Sequence, residues 1–130
     1  MKYMHLDPSA ESAAQAIKGY TPAFAMELLR IGQDDLAITD IVPPSTWSRM
    51  RNKQGARLNQ QHSEAVFHAA RAMARVNEVL GADPDVRRAF LHQPNAALDG
   101  HVPLELLSES SIGAESVIRV LDSLSVGGPL

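Results

Sequence analysis

Apolar positions along the chain recur at three- and four-residue spacing and almost never alternate, so the pattern predicts helices from end to end. The longest run lies between Asn59 and Gly81. Val66, Ala69, Ala70, Met73, Val76 and Leu80 form one stripe there, with Asn59 as N-cap and Gly81 as stop. A second stripe, Ala114, Val117, Ile118, Leu121 and Leu124, predicts a final helix over 113–124. Two cap-plus-proline pairs mark further starts. Thr21-Pro22 opens a helix over 22–31 that Gly32 ends, and Asp83-Pro84 opens one over 85–93.

Shorter pieces lie between these. Asp34-Asp35 starts a helix over 36–41, because carboxylates suit a helix N-terminus, and Pro43-Pro44 stops it. Ser45 caps a third helix over 46–54, closed by Gly55. Pro94-Asn95 breaks the chain, Asp99-Gly100 makes a turn, and Pro103 begins a short apolar turn at 104–107. The expected fold is all-α. At 130 residues it is one ordinary domain or two small, closely packed ones. The expected division is an N-terminal extension (1–18) whose order the sequence leaves open, a region of short helices (19–58), and a long helix with a helical remainder (59–130).

Composition narrows the class. A chain 45% hydrophobic and 21% charged can build a core. The absence of cysteine removes disulfides and thiolate metal sites. No apolar run approaches a membrane span, and residues 1–12 show no apolar core of a signal peptide, so the expected address is cytoplasmic. The net charge of −3 conceals a strong asymmetry. Residues 43–75 hold Arg49, Arg51, Lys53, Arg57, Arg71 and Arg75 against Glu64 alone, while residues 76–130 hold three arginines against eight acids. Such a basic concentration is the footprint of a phosphate-binding element, or else a solvated face with a charge bias.

Three short helices followed by this cluster have the layout of a helix-turn-helix DNA reader. In that reading Ser45, Thr46 and Ser48 meet bases or phosphates. Arg49 offers a fork to guanine and Asn52 an amide to adenine. Arg51, Lys53 and Arg57 hold phosphates. Trp47 is read as a core anchor in preference to a base-stacking residue, and the alternative for Arg49 is a surface ion pair.

The second half carries an ordered set of short signatures. Arg57-Leu58 precedes the long helix and Leu80-Gly81 ends it; then come Phe90-Leu91, Pro94-Asn95, and Leu98 with Gly100. A Pro-Leu-x-Leu-Leu turn from Pro103 to Leu107 leads to a glycine-led final helix ending near Gly127. In this order they resemble the Xre/MbcA/ParS-type antitoxins, which pair with RES-domain toxins of type II toxin–antitoxin modules. Residues 20–55 resemble the family's Xre-like helix-turn-helix part more loosely. The chain departs at Phe90, where members often carry Trp, and at the Pro-Pro turn.

The resemblance implies a homodimer that binds its own operator with the first half. It implies that the second half silences a toxin that consumes NAD or ADP-ribosylates a target. Toxin contacts would then fall on Arg119, Asp122 and Ser123 of the final helix and on the tail Gly127, Gly128, Pro129 and Leu130. An acidic second half complements a basic cleft, and GGPL cannot continue a helix; a frayed end without a role reads equally well.

Two other classes stand against this reading. An enzyme is disfavoured, because His5, His62, His68, His92 and His101 are scattered and no metalloprotease, phosphate-loop or nucleophile motif occurs. No cofactor, metal or small-molecule substrate is expected. A stand-alone helix-turn-helix regulator whose second half dimerises remains open, since dimer helices and docking helices both show an apolar stripe.

Overall fold

The computed structural model of the protein describes residues 8–125. It is all-α: among the described residues there are seven α-helices, short 3-10 turns and no strand. The helices are α1 (Ala10–Lys18), α2 (Pro22–Leu29), α3 (Pro44–Met50), α4 (Gln60–Leu80), α5 (Pro84–Leu91), α6 (Pro103–Glu109) and α7 (Ser111–Ser125).

α4 is the axle of the molecule. Asn59 accepts from the His62 amide at its start, and Gly81 ends it at φ 80°. Its buried residues are Ser63, Val66, Ala69, Ala70, Ala72, Met73 and Val76, a set too wide for a helix that packs on one side. The alanines let neighbouring backbones approach. Asn77 reaches the Ile31 carbonyl on one flank, while Arg71 and Arg75 reach α7 on another. Buried residues from α1 to α7 accordingly form one continuous core through α4.

α1 lies inside the segment read as an N-terminal extension. Ser9 and Ser12 close a reciprocal capping box at its start. Tyr20, just past its end, folds back on it, and its hydroxyl donates to the Ser12 carbonyl in the first turn at 2.6 Å. Tyr20 N–H donates in turn to Ser63 of α4 at 2.9 Å. Gly19 allows this junction, with φ 93° and a position where a Cβ would strike the Leu58 carbonyl.

Three local expectations in the first half need correction. α2 does not run to Gly32: it tightens after Leu29 into 3-10 turns over Arg30–Asp35, and the reversal falls at Gln33 (φ 52°, ψ −132°). Gly32 is buried there because it packs, with Leu36 Cβ 3.0 Å from where its own Cβ would stand. The helix expected over 36–41 is a single 3-10 turn, Ile38–Asp40, after an extended Leu36. Leu36 and Ile38 point inward on either side of an exposed Ala37, the alternation of an extended chain. α3 is capped by Pro43 with Pro44 in its first turn, not by Ser45, and it ends at Met50. Proline's fixed φ starts the helix without a side-chain acceptor.

In the second half Asp83 caps α5 and Asn95 caps a 3-10 turn, Ala96–Leu98. The loop closes where Asn95 N–H donates to the His101 carbonyl at 3.1 Å and the Asn95 carbonyl accepts from Gly100 N–H at 2.9 Å, around Asp99 (φ 55°) and Gly100 (φ 84°). The apolar turn expected at 104–107 is a true helix, α6, which packs closely on α7.

Candidate functional site

Two surfaces gather the residues singled out in the sequence. The first is basic. α3 buries Trp47 and leaves Ser45, Ser48 and Arg49 exposed, with Thr46 half-buried. Arg51, Asn52 and Lys53 do not lie on the helix; they occupy the exposed turns between its end and Gly55. Arg49, Arg51 and Lys53 form no ion pair with any described residue. Arg57 is exposed too, but its Nη1 donates to the Gly19 carbonyl at 2.9 Å, so part of its donor fork already serves the fold.

The other two cations of the basic segment are engaged elsewhere. Arg71 pairs with Glu115 at 3.1 Å. Arg75 pairs with Asp122 at 2.7 Å and with Glu78 at 3.6 Å. The Asp122 hydrogen bond above all holds the Arg75 guanidinium more firmly protonated than an ordinary arginine. The charge excess of residues 43–75 therefore divides between a solvent-facing group of four and a pair that clasps α4 to α7.

The second surface is an open groove of about 770 Å³. Its apolar lining comes from the end of α4 (Leu80), α5 (Val86, Phe90), the 3-10 turn (Leu98), α6 (Leu106) and α7 (Val120, Leu124). Asp99, His101, Arg119 and Ser123 bring polar groups to it. α7 can serve both core and groove because it carries two stripes. Ala114, Val117, Ile118 and Leu121 enter the core, while Ser116, Arg119, Val120, Ser123 and Leu124 line the groove. Volume and lining suit an apolar anchor from a partner, oriented by a few polar contacts.

The structure thus brings Arg119 and Ser123 together in the groove and sets Asp122 beside it, against Arg75. Arg119 makes no ion pair with a described residue. Gly127, Gly128, Pro129 and Leu130 lie outside the described residues. Sequence reasoning missed the apolar lining as a surface. In the sequence Phe90 and Leu98 stand only as pieces of a signature, and the second stripe of α7 is the signal that points to a further face.

No cluster of three or more His, Asp or Glu side chains suited to a metal occurs among the described residues. No described helix is long and apolar enough to cross a membrane.

Fold and groove define an all-α protein with an open apolar groove in its second half. Residues 75–127 match the family model for the antitoxin Xre/MbcA/ParS C-terminal toxin-binding domain, a match that covers less than half of the chain. A comparison with curated proteins finds no match.

Proposed function

We propose that this chain is the antitoxin of a type II toxin–antitoxin module, seating a protein toxin in the groove and binding operator DNA through the basic face. One coincidence carries the reading: every residue that lines the groove falls within the segment, 75–127, that is similar to a toxin-binding domain. The role is one of binding, without catalysis. Burial of Leu80, Phe90, Val120 and Leu124 against a toxin would supply most of the affinity, as a few well-packed apolar residues do at most interfaces. Arg119, exposed and without an acidic partner on its own chain, would orient the toxin.

In its finer form the toxin is a RES-domain protein that consumes NAD or ADP-ribosylates a target, and the antitoxin works as a cytoplasmic homodimer that represses its own operon. The ordered signatures from Arg57-Leu58 to the glycine-led α7 support the RES pairing. The unpaired cations Arg49, Arg51 and Lys53 support DNA binding, since steady phosphate contacts need free positive charge.

The test is co-expression with the neighbouring open reading frame, a growth assay and affinity purification. Expected is a neighbour that arrests growth alone and is silenced in a stable complex with this chain. Val120→Asp puts a charge on the groove at a half-buried position on the edge of the core, and it should abolish neutralisation while the helical content stays native. A harmless neighbour that does not co-purify, or full neutralisation by Val120→Asp, would overturn the proposal. A groove that holds two copies of this chain together would instead favour the plain regulator.

A further inference from the structure

α5 is a groove wall with little core beneath it. Its buried residues are Arg87 and Leu91, whereas Val86, Ala89 and Phe90 line the groove. Arg87 is 1% exposed, a rare position for a charge. Its Nη2 lies 3.2 Å from Asp35 Oδ2 and donates to the Gly32 carbonyl at 3.3 Å. The other oxygen of the same carboxylate, Oδ1, stands 3.1 Å from His92 Nε2, just past the end of α5. A single carboxylate from the segment between α2 and α3 therefore grips the groove wall at two points.

The same segment is fastened from the other flank, where Asn77 Nδ2 of α4 donates to the Ile31 carbonyl at 3.2 Å. Residues 31–35 are thus a bracket between the axle and the wall. Arg87 Nε has no hydrogen-bond partner among the described residues, so the buried guanidinium is not fully satisfied. A buried ion pair of this kind adds little net stability over an apolar replacement, because desolvation offsets the Coulombic gain. What it supplies is geometry, through donors and acceptors that meet in one arrangement only.

We infer that Asp35 and Arg87 are positioning residues for the groove: the carboxylate from the first half of the chain holds α5 where Val86 and Phe90 complete the groove, and couples the groove to residues 30–35. The inference stands whatever occupies the groove. A ligand that braces α5 also braces the bracket, and the bracket adjoins α2 and leads to α3. Groove and basic face are then linked through one buried pair.

Hydrogen exchange read by mass spectrometry on the full chain tests this. Asp35→Asn keeps the side-chain shape and removes the charge. Amides of 85–92 should then exchange on the order of tenfold faster, while those of α1 and the middle of α4 keep their native rates. Saturating bis-ANS, used as an apolar probe of the groove, should slow exchange over 30–35 in the native chain and not in Asp35→Asn. Val120→Asp serves as the control in which the groove no longer takes the probe.

Two results would overturn the inference. One is native exchange at 85–92 in Asp35→Asn; the other is acceleration spread evenly over all helices, the mark of a merely structural pair. Should Asp35→Asn fail to fold, His92→Ala removes one of the two grips and is read by the same criteria.

Discussion

Gln33 sits at φ 52° and ψ −132°, a conformation that glycine adopts freely and a side chain with a Cβ does not. It is exposed, so nothing is gained from its side chain in the core. Gln33→Gly should therefore stabilise the fold by about 0.5–1 kcal/mol, the relief of backbone strain exceeding the entropy that glycine adds to the unfolded chain. Chemical denaturation would read this as a higher midpoint at unchanged slope; a lower midpoint would mean that the turn is not strained. Tyr20 makes a second residue-scale case. Burial, helped by the nearby Glu64 carboxylate, pushes its hydroxyl up to about 12 from an ordinary value of 10.0. The raised value means that the fold favours the neutral phenol. Its contribution is thus complete below about pH 10 and is lost as the pH rises toward 12. The loss amounts to about 2–3 kcal/mol over that window. Ultraviolet absorbance of tyrosinate should show Tyr20 titrating late, and Tyr20→Phe should remove the late component; a single step near the ordinary value would refute it.

At the scale of elements, Gly113 decides how closely α6 and α7 pack. A Cβ there would run into the Leu106 carbonyl, backbone against which no rotamer change helps. Gly113→Ala should part the two helices and destabilise the protein by about 2–4 kcal/mol, an overpacking cost at the upper end of its range. Because Leu106 and Val120 line the groove from these two helices, groove binding should fall with it. Thermal melting and bis-ANS binding, measured together, would check both halves of that expectation, and a native melt would dismiss it. The glycine that leads the final helix was visible in the sequence, but the carbonyl that demands it was not. This contrast recurs. Starts set by local chemistry, such as Thr21-Pro22, Asn59 and Asp83-Pro84, are where the sequence puts them, because the capping atoms lie within three residues of one another. The helix expected over 36–41 does not form, although Asp34-Asp35 look like helix-start charge. Asp35 instead serves Arg87, far along the chain, and Leu36 and Ile38 alternate into the core. The basic cluster could be read as a run of charge. That Arg71 and Arg75 belong to α7 could not, because their partners lie more than forty residues away. The groove was hidden for the same reason: four helices and a turn each give it one to five side chains, and no single stretch looks unusual.

Across the whole molecule, one helix separates two uses of charge. Arg71 and Arg75 cross from α4 to α7 and neutralise acids of the second half, whereas Arg49, Arg51 and Lys53 stay free around α3. Only the free group can release counterions from a duplex, so the two groups should differ in a measurement that ordinary affinity comparisons would blur. Each phosphate neutralised contributes about −0.9 to the slope of log affinity against log salt. Arg51→Ala should flatten that slope by about one per bound protomer and weaken every duplex alike, because a phosphate contact positions without reading sequence. Arg49→Ala should instead lose about 1–3 kcal/mol on the preferred sequence and much less on others, as expected of a fork on guanine. Arg71→Ala supplies the internal control. Its guanidinium is held by Glu115, so its removal should leave the salt slope unchanged and lower only the stability of the α4–α7 contact, by about 1 kcal/mol or less for so exposed a pair. Fluorescence anisotropy with the upstream operator region and an unrelated duplex, across a salt series, measures all three variants at once. If Arg51→Ala and Arg71→Ala prove indistinguishable in slope, the cations around α3 are a solvated face, and the DNA-binding half of the proposal falls while the groove keeps its own evidence.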